Sequence, residues 1–115
     1  MRDHVLVVDI GTSSCRALIF SQDGTVVALQ QEPYEVLMPR AGWQEQDPDV
    51  LFAAIVRTAG ACLRQKPDVA EKVAGIGFSS QMYSIFPVDE TGKPMLQSII
   101  WADSRSEKQS DELRE

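Results

Sequence analysis

At 115 residues with a formal net charge of −6, the chain has room for one domain, and its acidic surface disfavours non-specific binding to a phosphate backbone. Val, Leu, Ile and Phe account for 30 of the 115 residues, enough to build a packed core and more than a disordered chain carries. No apolar run approaches the ~20 residues of a membrane span, and the first one, Val5 to Val8, is broken by Asp9, so neither a membrane anchor nor a secretory signal is expected and the chain reads as cytoplasmic.

Val5 to Ile10 is a short apolar run rich in β-branched residues and ending at Gly11, which predicts a strand buried on both faces. A tight polar turn, Gly11-Thr12-Ser13-Ser14, leads to a second strand over 16–20. Asp23-Gly24 is a hairpin signal, and 25–29 reads as a third strand, so the first three form an antiparallel meander. Residues 32–46 contain Pro33, Pro39 and Gly42 and read as an extended loop. Asp47-Pro48-Asp49 then announces a helix: Asp47 as N-cap, Pro48 at the first helical position and Asp49 at the positive end of the dipole. Its apolar stripe is expected at Leu51, Phe52, Ile55, Val56, Ala59 and Leu63, and it should end before Pro67. Another strand is expected over 73–79, and further extended runs over 84–89 and 95–101, with Thr91-Gly92 as the turn between them.

The stretch from Ser104 to Glu115 is different. Ser104-x-x-Glu107 fits a capping box, so a helix is expected from Ser104. Leu113 is its only large apolar residue, and a helix without an apolar face has little to hold it in place. The preferred reading is a helix cut short, whose packing partner lies beyond Glu115; a solvated terminal helix is the other. Cys15 and Cys62 lie far apart, match no metal or redox spacing, and read as reduced core residues.

Three constellations carry chemistry. In the first, Asp9 stands at a strand end where a carboxylate can hold a hydrated Mg²⁺. Gly11, Thr12, Ser13 and Ser14 offer turn amides and hydroxyls that suit the terminal phosphates of a nucleotide, and Arg16 is close enough in sequence to join them. A polar hairpin with Asp9 fixing its turn explains the same residues without any ligand. Fingerprints of the P-loop and of dinucleotide-binding folds are absent from the sequence. The second constellation, Phe78 to Ser84, follows a strand and is dense in hydrogen-bonding side chains, Gln81 and Tyr83 among them, with Met82 between. The third, Trp101-Ala102-Asp103-Ser104-Arg105, sets an indole beside a carboxylate and a guanidinium. That combination can pack on the C–H face of a polyol and bind its hydroxyls. Core packing of Trp101 and a local Asp103–Arg105 ion pair are the plainer alternatives.

The order of the motifs narrows these readings. Asp9-x-Gly11-Thr12-Ser13, Gly42-Trp43-Gln44-Glu45-Gln46-Asp47-Pro48, Gly75-Ile76-Gly77-Phe78-Ser79-Ser80-Gln81-Met82, Asp89-Glu90-Thr91-Gly92-Lys93-Pro94 and Trp101-x-Asp103-x-Arg105 together resemble the opening of the FGGY carbohydrate kinases, over nearly the whole chain. The stretches 80–84 and 101–105 look most similar to gluconate kinase, although Tyr83 stands where that group usually has His.

The resemblance implies an α/β fold: a ribonuclease H-like, actin-like domain with a mixed sheet, in which the antiparallel three-strand meander is followed by a helix and further strands. Residues 1–115 would be part of the N-terminal domain of a two-domain, ATP-dependent sugar kinase. Its substrate would be a small sugar acid or polyol, gluconate first, with xylulose or another pentulose as the alternative. A non-catalytic actin-like nucleotide switch and a sugar-binding pseudokinase remain open. By the same resemblance, Asp9 would be Mg²⁺-proximal, and Gly11, Thr12, Ser13, Ser14 and Arg16 would bind ATP phosphates. Gln81, Met82, Tyr83, Trp101 and Asp103 would face the sugar. The general base and the adenosine pocket would lie outside this chain, which alone should be inactive. A small sugar or sugar acid is the expected partner, nucleic acid and membrane are not, and a homodimer is left open.

Overall fold

Three aliphatic, β-branched runs form the strands β1 (His4–Ile10), β2 (Ser14–Phe20) and β3 (Val26–Pro33). In the computed structural model, which describes residues 1–114, β1 pairs antiparallel with β2 and β2 with β3, the expected meander. At the β2–β3 turn, Gly24 takes a φ of 84°, where a side chain would be strained. The Asp23 carboxylate accepts hydrogen bonds from the Ser21 hydroxyl (2.5 Å) and the Thr25 amide (3.1 Å). β3 runs on to Pro33, so the loop expected from Glu32 is shorter. It also contains a two-residue strand, β4 (Glu45–Gln46).

The helix α1 (Pro48–Gln65) begins and ends where the sequence places it. The Asp49 amide donates to the Asp47 carboxylate at 2.9 Å, and a single turn, α2 (Pro67–Ala70), follows. The chain then enters β5 (Val73–Ser80), which pairs parallel with β1 and completes a mixed sheet of order β3-β2-β1-β5.

The buried face of α1 is not the predicted stripe. Ala54, Thr58 and Cys62 are its buried residues, and Ile55, Ala59 and Leu63 flank the core. Phe52 and Val56 are 68% and 55% exposed. Small side chains at 54, 58 and 62 let the helix backbone approach the sheet closely, and Cys15 Sγ meets Thr58 Oγ1 there at 3.3 Å. The core is Leu6, Val8, Ala17, Ile19, Ala28 and Cys62, all on the α1 side of the sheet. β1 is accordingly buried on one face and not on both: Val5, pointing the other way, is 42% exposed. Both cysteines are buried and unbridged.

Contacts within the chain define two units. The first consists of Met1–Tyr34 and Val50–Gln81, and it holds the sheet. The second consists of Glu35–Asp49 and the chain from Met82 onwards. In the second unit β4 pairs antiparallel with β6 (Ser98–Ile99), and Gln46, Ser98 and Ile100 are buried. The runs expected at 84–89 and 95–101 are mostly irregular, reduced to β6 and isolated bridges at Ile85–Ile99 and Val88–Pro94. Pro87 and Pro94 lack the N–H that a continuous ladder needs. The last helix, α3 (Glu107–Glu112), starts later than predicted. Ser106 caps it without a side-chain bond, while the Ser104 hydroxyl, expected to form a capping box, donates instead to the Gly42 carbonyl at 3.2 Å. α3 has no buried residue, as its lack of an apolar face foretold.

These burials predict unequal responses to truncation. Ile19→Ala, in the centre of the core, should cost about 3 kcal/mol, whereas Val56→Ala, at an apolar but exposed helix position, should stay within about 0.5 kcal/mol. Urea denaturation of the two variants measures the difference, and equal losses would contradict the helix orientation.

Candidate functional site

Parallel pairing of β1 with β5 brings the strand ends together. The register sets Asp9 between Arg16 of β2 and Ser79 of β5. Arg16 Nη1 lies 3.6 Å from Asp9 Oδ2, with both side chains reachable by solvent, a pair worth at most ~1 kcal/mol. The Gln81 amide donates to the Ile10 carbonyl (2.8 Å), carrying the ladder one residue beyond β5. Gln81 Oε1 in turn accepts from the Thr12 hydroxyl at 3.1 Å. Asp9, Gly11, Thr12, Ser13, Ser14, Arg16 and Gln81 thus gather at one end of the sheet. That Gln81, read from sequence as a sugar residue, bonds to the Thr12 turn was not foreseen.

The turn itself is built tightly. The Gly11 N–H donates to the Ser14 carbonyl (2.9 Å), and a Cβ at Gly11 would stand 3.0 Å from that same oxygen. Glycine is therefore needed for shape, and its amide, expected to face a phosphate, is used inside the turn. Ser14 is 6% exposed and its hydroxyl accepts from Gln31 Nε2 at 2.9 Å, so its side chain braces β2 against β3. Tyr34, unnoticed in the sequence, holds the turn from the end of β3. Its N–H donates to the Ser13 carbonyl (3.0 Å) and its phenol to the Gly11 carbonyl. Burial, and then the nearby Cys15 and Asp9, pushes the Tyr34 phenol up to about 12. Among the described residues no group of three or more His, Cys, Asp or Glu could enclose a metal ion. A single partly exposed carboxylate beside hydroxyls suits a Mg²⁺ that keeps most of its water.

The remaining candidates belong to the second unit. Met82 and Tyr83 are 68% and 85% exposed, and Tyr83 has a φ of 58°, the left-handed region that a bulky residue enters only at a cost of ~1–3 kcal/mol. Trp101 is 60% exposed, so it is not a core residue. Asp103 is the reverse. Its Oδ1 accepts from Arg105 Nε (2.8 Å) and the Arg105 amide (2.9 Å), and its Oδ2 from Arg105 Nη2 (2.7 Å) and the Gln44 amide (2.6 Å). Both oxygens are engaged within the protein, which is the local ion pair that stood as the plainer reading. Arg105 Nη2 also reaches Glu45 Oε1 at 2.7 Å, and the guanidinium lies 3.8 Å from the centre of the Trp43 ring, with Arg40 at 4.9 Å. At Gly42 (φ 77°) a Cβ would stand 2.6 Å from Ser104 Oγ, so glycine is required there. The motifs at 42–48 and 101–105 are thus two halves of one network.

Residues 4–115 match the FGGY family of carbohydrate kinases, N-terminal domain. The chain belongs to this family. It is 39% identical to a glycerol kinase of Beutenbergia cavernae over 98% of its own length and 23% of that protein's, and 36% identical to a gluconokinase of Bacillus subtilis over 100% and 22%. A xyloylose kinase from Brucella ovis superposes with a TM-score of 0.91 at 30% identity, covering 96% of this chain and 23% of that one. A gluconate kinase from Lactobacillus acidophilus, at 23% identity, shares the fold with a TM-score of 0.86. The FGGY fold expected from the motifs is therefore present, and the chain spans less than a quarter of the length of these relatives. Among the described residues, no helix is long and apolar enough to cross a membrane.

The Arg105 guanidinium, first of several donors, holds the Asp103 carboxyl well below its ordinary value of 3.8. A depressed carboxyl adds stability that is complete above the unfolded-state value and lost as pH falls through the folded-state value. Asp103→Asn removes one of the two carboxylates that Arg105 bonds and leaves it Glu45, and should lower stability at pH 7. Denaturation at a series of pH values should show the gap to the parent protein narrowing below about pH 4. A gap that stays constant in acid would mean that the ion pair is not its source.

Proposed function

We propose that the protein carrying this chain is an ATP-dependent kinase that phosphorylates a hydroxyl of a small sugar acid or polyol, with gluconate as the substrate. The observation that carries the reading is the Asp9–Gly11–Thr12–Ser13 strand end, held against Gln81 by the β1–β5 pairing. Membership of the FGGY family supports it.

Phosphoryl transfer needs little covalent work from the protein; it depends on positioning and charge neutralisation. A bound Mg²⁺ would neutralise charge on the transferring phosphates, and Asp9, with Thr12 beside it, would hold its water shell. The turn at 11–13 would orient the phosphates through Thr12 and Ser13, and Arg16 would add positive charge. Gln81, bonded to Thr12, would keep that hydroxyl in one rotamer. Met82, Tyr83 and Trp101, all exposed, would contact the sugar, while Asp103 would act through the backbone of its loop. The proton acceptor for the attacking hydroxyl lies outside this chain in this reading. A pentulose is the second reading, favoured by one residue: Tyr83 offers a neutral hydroxyl where an imidazole could pair with an acid.

Assaying the full-length protein against gluconate, xylulose and glycerol with ATP tests the proposal. Transfer to none of them, with ATP still bound, would favour the nucleotide switch, and sugar binding without transfer the pseudokinase. Asp9→Asn should lower turnover by ~10²–10³-fold with sugar affinity retained, since Asp9 serves metal and phosphate. Normal turnover at saturating Mg²⁺ would remove Asp9 from that role.

A further inference from the structure

Tyr34 stands at the end of β3 and has no part in the chemistry above, yet both of its hydrogen-bond donors go to the turn. Its N–H reaches the Ser13 carbonyl at 3.0 Å and its phenol the Gly11 carbonyl. Every peptide bond described is trans. In a trans planar peptide the C=O of one residue and the N–H of the next point in opposite directions. Drawing the Gly11 carbonyl towards Tyr34 therefore aims the Thr12 N–H the other way. Holding the Ser13 carbonyl fixes the Ser13–Ser14 plane in the same manner. Within the turn, the Gly11 N–H bond to the Ser14 carbonyl locks the planes on either side of these two.

We propose that Tyr34 is the positioning residue of this turn, clamping its Gly11 and Ser13 carbonyls so that the turn already has one conformation before an anion arrives. The proposal rests on the phosphate-binding reading of the turn and adds to it the residue that preorganises it. A turn of glycine and small hydroxyl residues left alone would sample several conformations, and ordering it on binding would weaken affinity. The clamp is also neutral, since the phenol keeps its proton well above physiological pH, and it brings no negative charge to an anion site. Tyrosine supplies what other residues there would not. Phenylalanine would keep the ring and the backbone bond but release Gly11.

Tyr34→Phe in the full-length protein isolates the phenol. Calorimetric titration with MgATP should give a Kd raised roughly threefold to tenfold, the loss of one hydrogen bond that acts on a binding group. Affinity for the preferred sugar and the melting temperature should be little changed. Amide exchange at Gly11, whose N–H is bonded to the Ser14 carbonyl inside the turn, should quicken in the ATP-free variant. An unchanged Kd for MgATP overturns the proposal, as does a parallel loss of ATP affinity, sugar affinity and melting temperature, which would mark Tyr34 as a general support of the fold. Asp9→Asn measured alongside separates the two levels. If Asp9→Asn is crippled while Tyr34→Phe binds MgATP normally, the clamp fails and the phosphate reading stands. If Asp9→Asn turns over normally, the phosphate reading fails and the clamp with it.

Discussion

The parallel pairing of β1 with β5 is the constraint from which the candidate phosphate site follows. Had β5 run antiparallel to β1, its C-terminal end would lie at the opposite end of the strand, beside His4. Running parallel, β5 brings that end beside Ile10 and delivers Gln81 to Thr12. Such pairing cannot be made by a tight turn, since the chain must travel back the length of the strand. β2, β3 and α1 occupy that return, and their packing is what keeps it in place: Ala54, Thr58 and Cys62 let α1 lie close over Ala17 and Ile19.

The second unit is organised on a different principle. It has little regular structure and few buried large side chains, and Arg105 takes the place of an apolar core. One guanidinium bonds two carboxylates and lies over an indole, tying the segment around Trp43 to the segment around Asp103. A planar fork with several donors can serve all three partners at once, which a lysine ammonium cannot do with the same geometry. Such a network is highly directional, so it fixes a loop conformation even where burial is modest. It leaves Trp101 and Tyr83 at the surface, their positions set by a frame that they do not themselves build.

Most of the elements were legible from local signals. The apolar runs at 5–10 and 16–20, Asp23-Gly24, the Asp47-Pro48-Asp49 start and the Pro67 stop depend on propensity and turn chemistry acting within a few residues. What was misread required knowledge of neighbours. Phe52 and Val56 satisfy a helical stripe on paper, but the sheet accepted the small face at 54, 58 and 62 instead. Ser104 fits a capping box, but its hydroxyl found Gly42, far away in sequence, before α3 begins. Residues 84–89 and 95–101 read as extended runs, but Pro87 and Pro94 interrupt the ladder between them, which is reduced to isolated bridges and the two-residue β6.

The candidate site divides along the same line. The residue types at Asp9, Gly11, Thr12 and Ser13, and the order of the five motifs along the chain, were sufficient in sequence to indicate the family and a tight polar turn after β1, because a short turn between two strands is encoded locally. Tertiary structure alone decided which groups are available. It took the Gly11 amide and the Ser14 hydroxyl into internal bonds, enclosed both oxygens of Asp103, and brought in Gln81 and Tyr34 from distant parts of the sequence. A hydrogen bond joins atoms by position in space, and for residues many positions apart in the chain only the packed sheet determines that position.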